Sequence, residues 1–149
     1  MKITVRNQQR AIRLDMPWLK KFARLSLEHC LECASSPVAV LPRLDEVEVT
    51  IVSNDVIAQV HRRFMQIEGP TDVITFDHGE IVVGAETARD NAQRFGKGLN
   101  EETGLYITHG LLHLAGFDDK ERRDAMKMRY CQEKIAAKCL KQLLHKSEN

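Results

Sequence analysis

The chain has 149 residues, a length that points to one domain spanning 1–149 and able to bury a core without staples. Hydrophobic residues make up 43% and charged residues 29%, which excludes disordered, collagenous and fibrous classes. Lys+Arg number 22 against Asp+Glu 21, so the net charge of +1 neither demands nor excludes nucleic acid, and an RNA partner needs a local basic patch.

The opening segment MKITVRNQQRAIRLD lacks a signal-peptide apolar block. No apolar run approaches the ~20 residues of a membrane span. The expectation is a cytoplasmic chain with no membrane partner. Met1–Val5 reads as a strand. Asp15 opens a helix that runs to about Ala34, with Pro17 in its first turn. That helix is expected to bury Trp18, Leu19, Phe22, Leu25 and Cys30 or Leu31. Pro37 and Pro42 mark a loop. Glu46–Val52 alternates with period two, so Val47, Val49 and Ile51 share the buried face of a strand.

Ser53-Asn54-Asp55 caps a helix through about Met65, with Val56, Ile57, Val60 and Phe64 expected inward. Asp72–Phe76 and Gly79–Val83 read as strands joined at Asp77-His78, an antiparallel hairpin. Ala85–Phe95 is helical and Gly96 and Gly98 end it. A helix follows from about Glu101 to Leu114, burying Leu105, Ile107, Leu111, Leu112 and Leu114, and Gly116 stops it. A last helix spans about Glu121–Leu144, before a polar HKSEN tail expected to fray. The order implies an α+β fold: one small mixed sheet of about four strands packed with about five helices.

Four cysteines need an account. Cys30 and Cys33 form a CxxC inside the first helix, but no second CxxC follows, since Cys131 and Cys139 are eight apart. We read them as structural thiols and expect no disulfides.

The chemistry concentrates in Thr108–Asp119, THGLLHLAGFDD. His109 and His113 stand at i and i+4 on a central helix, so both imidazoles leave one face. Gly116 can take a left-handed backbone and turn the chain sharply. Asp119 can then return as a third ligand, with Asp118 a neighbouring competitor that the spacing disfavours. Three protein ligands leave a fourth position for water, the layout of a catalytic Zn²⁺, though Ni²⁺ or Fe²⁺ suits the same donors. A zinc peptidase of the His-Glu-x-x-His type has a general base after its first histidine; here that residue is Gly110.

At these residues the chain resembles the YbeY family, bacterial single-strand-specific endoribonucleases and ribosomal RNA maturation factors. HGLLHLAGFDD is similar to the family's His-Gly-x-Leu-His-Leu-x-Gly-Tyr-Asp-His. PTDVITF at 70–76 and GEIVVGAETARDNA at 79–92 resemble two further family segments, and the likeness covers about residues 46–131. The resemblance implies a zinc held in a cleft, a basic channel for RNA, and roles in maturing the 3′ end of small-subunit ribosomal RNA and in ribosome quality control. Carried over by position, the ligands are His109, His113 and Asp119. Asp119 stands where the family usually has His, Met65 where it has a functional arginine, and His61 where Asn is usual.

Arg62 and Arg63, one turn or less from Met65, are then the candidates for catalysis and for holding phosphate charge. Arg89 is a further RNA-binding candidate. Thr71 and Asp72 are expected to order the loop near the metal. His78 is either a cleft residue or an ordinary turn residue. The expected partners are single-stranded RNA and the small ribosomal subunit, not DNA. Two other classes stay open: a zinc-stapled ribosome-assembly factor that binds RNA and cuts it weakly, and a metallopeptidase, which Gly110 disfavours.

Overall fold

The computed structural model describes residues 1–34 and 36–148, and the side chains of these up to residue 145. Four strands and five α-helices follow one another as β1 (Lys2–Asn7), α1 (Met16–Cys33), β2 (Glu46–Val52), α2 (Asn54–Met65), β3 (Val73–Thr75), β4 (Glu80–Gly84), α3 (Ala85–Phe95), α4 (Leu99–Leu114) and α5 (Arg122–Glu148). A short 3₁₀ turn, Leu41–Arg43, interrupts the loop before β2. The α+β expectation holds: one mixed sheet, order β1-β2-β4-β3, with two parallel pairs and an antiparallel β3/β4 edge.

Period-two patterning produces two cores. Val5, Val47, Val49, Ile51, Ile81 and Val83 face α1 and α4, with Leu19, Phe22, Ile107, Leu111 and Leu112 above them. α5 packs on α1 and α4 through Met128, Ile135, Cys139 and Leu143, spaced as one helical seam. On the other sheet face Val52, Ile74 and Val82 meet Ile57 of α2 in a smaller cluster.

Local signals set the helix ends. Asp15 caps α1 by accepting from the Trp18 N–H, and Ser53 caps α2 by accepting from the Val56 N–H. The cysteines are all free thiols, with Cys30 and Cys139 buried. Three expectations change. Val56 and Phe64 are exposed, and α2 buries only Ile57 and His61 outright, because this helix rests on the sheet along a narrow seam. Trp18, Leu25 and Leu105 are half-buried rather than buried. α5 continues as helix through residue 148, past the expected end at Leu144; Asn149 lies outside the described residues. Among the described residues no helix is long and apolar enough to cross a membrane.

Candidate metal centre

Helix α4 is buried on most sides, and its seat on the sheet is set by a residue without a side chain. A Cβ on Gly110 would stand 2.8 Å from Ile81 Cγ2 and 3.0 Å from Thr75 Oγ1. Ile81 pairs with both Val49 of β2 and Thr75 of β3, so Gly110 brings the helix down onto the middle of the sheet near its β3 side. One face away, His109 and His113 emerge half-buried into a cavity of about 550 Å³, lined also by Met65, Thr71, Asp72, Thr75, Asp77 and Lys120.

The end of α4 builds the rest. Gly116 has φ +100°, and its N–H bonds the His113 carbonyl while the Phe117 N–H bonds the Leu112 carbonyl. This is a Schellman cap, and only glycine adopts that backbone without strain. The reversal delivers two groups. The Phe117 carbonyl lies 3.2 Å from His113 Nδ1, and Asp119 Oδ2 lies 3.5 Å from His109 Nε2 and 3.6 Å from His113 Nε2. Asp118 is used otherwise: its Oδ1 accepts from the Lys120 N–H.

Tautomers follow from the partners. His109 Nδ1 donates to Gln132 Oε1 at 2.6 Å, and His113 Nδ1 donates to the Phe117 carbonyl. With each Nδ1 engaged in this way, both Nε2 atoms are the ones available as ligands, and they face each other at 3.2 Å. Burial, then the neighbouring His109, lowers the pKa of His113 and keeps it neutral. Two ring nitrogens and a carboxylate oxygen converging on one point repel each other unless a proton or a metal cation lies between them. Two ligands on a tetrahedral ion, each ~2.0–2.1 Å away, stand ~3.3–3.4 Å apart. The observed 3.2, 3.5 and 3.6 Å match that edge, so the residues fit a tetrahedral divalent metal with one position left open.

Other expected residues lie elsewhere. Arg62 lines a separate surface cavity with Asp55 and Glu68. The Arg63 guanidinium sits 5.4 Å over the Phe64 ring, and Arg89 pairs with Asp90. None of the three lines the metal cavity. Its charged lining is Asp72, Asp77, Asp118 and Asp119 against Lys120, so the cavity itself is acidic and not the basic channel that the resemblance implies. The helical twist explains this, because Arg62 and Arg63 leave the exposed side of α2 while Met65 turns to the cavity. Met65 thus occupies the cavity wall where the family pattern has arginine. Asp72 orders its loop as expected, accepting from the Val73 N–H and the Thr71 hydroxyl. Gln132 and Lys120 were not singled out by the sequence: Gln132 comes from α5, 23 residues beyond His109, with no periodic signal. A larger cavity of about 870 Å³ opens between β1 and α1 and holds none of the metal-site residues.

The family model for endoribonuclease YbeY matches residues 4–140. The chain belongs to the YbeY family. An endoribonuclease YbeY from Bacteroides thetaiotaomicron is 36% identical over 85 residues, 52% of this chain and 62% of that relative. The chain therefore matches less than two thirds of that YbeY's length. A second YbeY, from Heliobacterium modesticaldum, is 27% identical across 85% of this chain and 86% of its own. The solution structure of a Thermotoga maritima protein shares the fold, with a TM-score of 0.66 at 24% identity, covering 99% of this chain and 95% of that one.

Proposed function

We propose that this chain is a metal-dependent endoribonuclease that cuts single-stranded RNA. Its setting would be the cytoplasm, on small-subunit ribosomal RNA at the 3′ end and in ribosome quality control. The observation that carries the reading is the convergence of His109 Nε2, His113 Nε2 and Asp119 Oδ2 in an open cavity, within a chain of this family.

His109, His113 and Asp119 would hold the ion, with zinc the best match to two imidazoles and a carboxylate in tetrahedral array. When bound, such a metal polarises a phosphate oxygen and lowers the pKa of its water toward ~7. Gln132 and the Phe117 carbonyl fix the two imidazoles in the ligating tautomer. Lys120 is the cation among the described residues lining the cavity, and it would meet a phosphate oxygen. Arg62 and Arg63 would hold phosphate charge from outside the cavity, and Arg89 more remotely. Thr71 and Asp72 shape the wall.

Purified wild-type chain should cleave single-stranded RNA and His113→Ala should not; equal rates would refute the metal-centred mechanism. Elemental analysis should find metal in wild type and none in His109→Ala. Met65 in the cavity wall favours a second reading, a zinc-stapled RNA-binding assembly factor with weak cleavage. Under that reading Asp119→His raises cleavage while RNA binding stays unchanged. Peptidase chemistry has no support at Gly110, where a base would need space that Ile81 occupies.

A further inference from the structure

Aromatic rings on a surface are ordinary when single, but here they form a connected row. Phe64 is 55% exposed at the end of α2. Its ring meets Phe76 edge-on at 5.3 Å between centroids, and Phe76 stacks on His78 at 5.5 Å and 21°. The His78 side chain is 68% exposed, with its Nε2 3.2 Å from Glu80 Oε2. The Arg63 guanidinium lies over Phe64. Phe76 anchors the row by packing on the smaller core. Met65 follows Phe64, and Asp77 lies between Phe76 and His78; both line the metal cavity. The rings themselves do not line that cavity, since Phe76 packs on the sheet face opposite α4; the row adjoins the cavity through these two neighbours.

The cavity beside it is poor in positive charge, with four aspartates against Lys120. Lys120 and a bound ion offer phosphates fewer contacts than a basic channel would, so contacts to the bases add affinity that the cavity itself does not supply. A base in a duplex keeps its faces stacked within the helix, whereas an unpaired base can lay one on an aromatic ring. A guanidinium adjoining that ring adds a second planar surface.

We propose that Phe64, Phe76 and His78, with Arg63, form a stacking platform for unpaired bases of single-stranded RNA, seating the strand beside the metal cavity. The inference rests on the nuclease reading and gives that site its preference for single strands. Phe64 and His78 are the contacting rings, and Phe76 holds them in line. Stacking on this row does not require a given base, so the platform selects strandedness and not sequence.

The test is equilibrium anisotropy on the full-length, metal-loaded chain, on ice, with probe integrity checked on a gel. The probes are a labelled oligoadenylate, the same length as duplex RNA, and an abasic ribose-phosphate oligomer of equal charge. Phe64→Ala and His78→Ala should each weaken oligoadenylate binding by about five-fold or more. Phe64→Trp and His78→Phe, which keep a π-face, should bind like wild type. The duplex and the abasic oligomer should bind weakly throughout. Alanine variants that match wild type, or an abasic oligomer that binds as tightly as oligoadenylate, would overturn the platform. RNA cleavage measured in the same preparations would then still decide the nuclease reading. A wild-type chain that neither binds nor cuts RNA would overturn both.

Discussion

An imidazole binds a cation through the nitrogen that lacks a proton, so the partner of its other nitrogen decides whether a histidine can be a ligand. Here those partners come from opposite directions: the Phe117 carbonyl from the turn just after α4, and Gln132 from α5. The first was implicit in the sequence, because Gly116 announces the turn that brings Phe117 and Asp119 back. The second was not, because contact between residues 109 and 132 depends on how two helices pack. The same division separates Asp119 from Asp118, whose roles are set by the turn's exit and not by spacing alone. Gln132→Leu keeps the bulk and removes the acceptor. It should weaken metal binding about 10- to 100-fold, read by competition with a chromogenic chelator, while circular dichroism stays native. Affinity equal to wild type would show that Gln132 does not orient His109.

At the scale of elements, α4 and α2 show what patterning encodes. α4 is apolar around most of its circumference, and such a helix can only be central. In α2 the residues Val56, Ile57, Val60 and Phe64 form a plausible inward stripe, yet Ile57 alone of the four is fully buried. Periodicity states which side chains share a side of a helix; it does not state how far the neighbouring sheet extends to cover them. β3 is only three residues long, and Phe64 finds the edge of Phe76 instead of a sheet face. Gly110 carries the complementary lesson. In the sequence it only subtracts a catalytic base, whereas in the fold it lets α4 sit close against the sheet at Ile81 and Thr75. Gly110→Ala adds a methyl where 2.8–3.0 Å remain to Ile81 and Thr75. Overpacking of this kind costs about 1–3 kcal/mol. The urea midpoint should fall accordingly, and metal affinity with it, because lifting α4 displaces both imidazoles. An unchanged midpoint would mean that Ile81 and Thr75 yield freely.

Across the whole molecule, the buried acids set how stability responds to alkali. Cys30 and Cys139 are buried, on α1 and α5, and Tyr106 is buried beside Asn91. Burial raises all three: Cys139 from its ordinary 9.0 to about 12, Cys30 higher still, and Tyr106 well above its usual 10.0. A raised acid keeps its proton in the folded chain after the unfolded chain has lost it. Between those two values the folded state binds more protons, so stability falls as pH rises. Below pH 9 the contribution is complete; above its ordinary value, 9.0 for the thiols and 10.0 for Tyr106, each such group removes up to about 1.4 kcal/mol per pH unit until its folded value is reached. The urea midpoint should therefore decline from about pH 9 upward, and Cys30→Ala with Cys139→Ala should make that decline shallower. The CxxC at Cys30 and Cys33 fits the same account, since a thiol held protonated by burial is a poor metal ligand and a slow nucleophile. A decline whose slope is unaltered in the paired alanine variant would exclude the two thiols as its source.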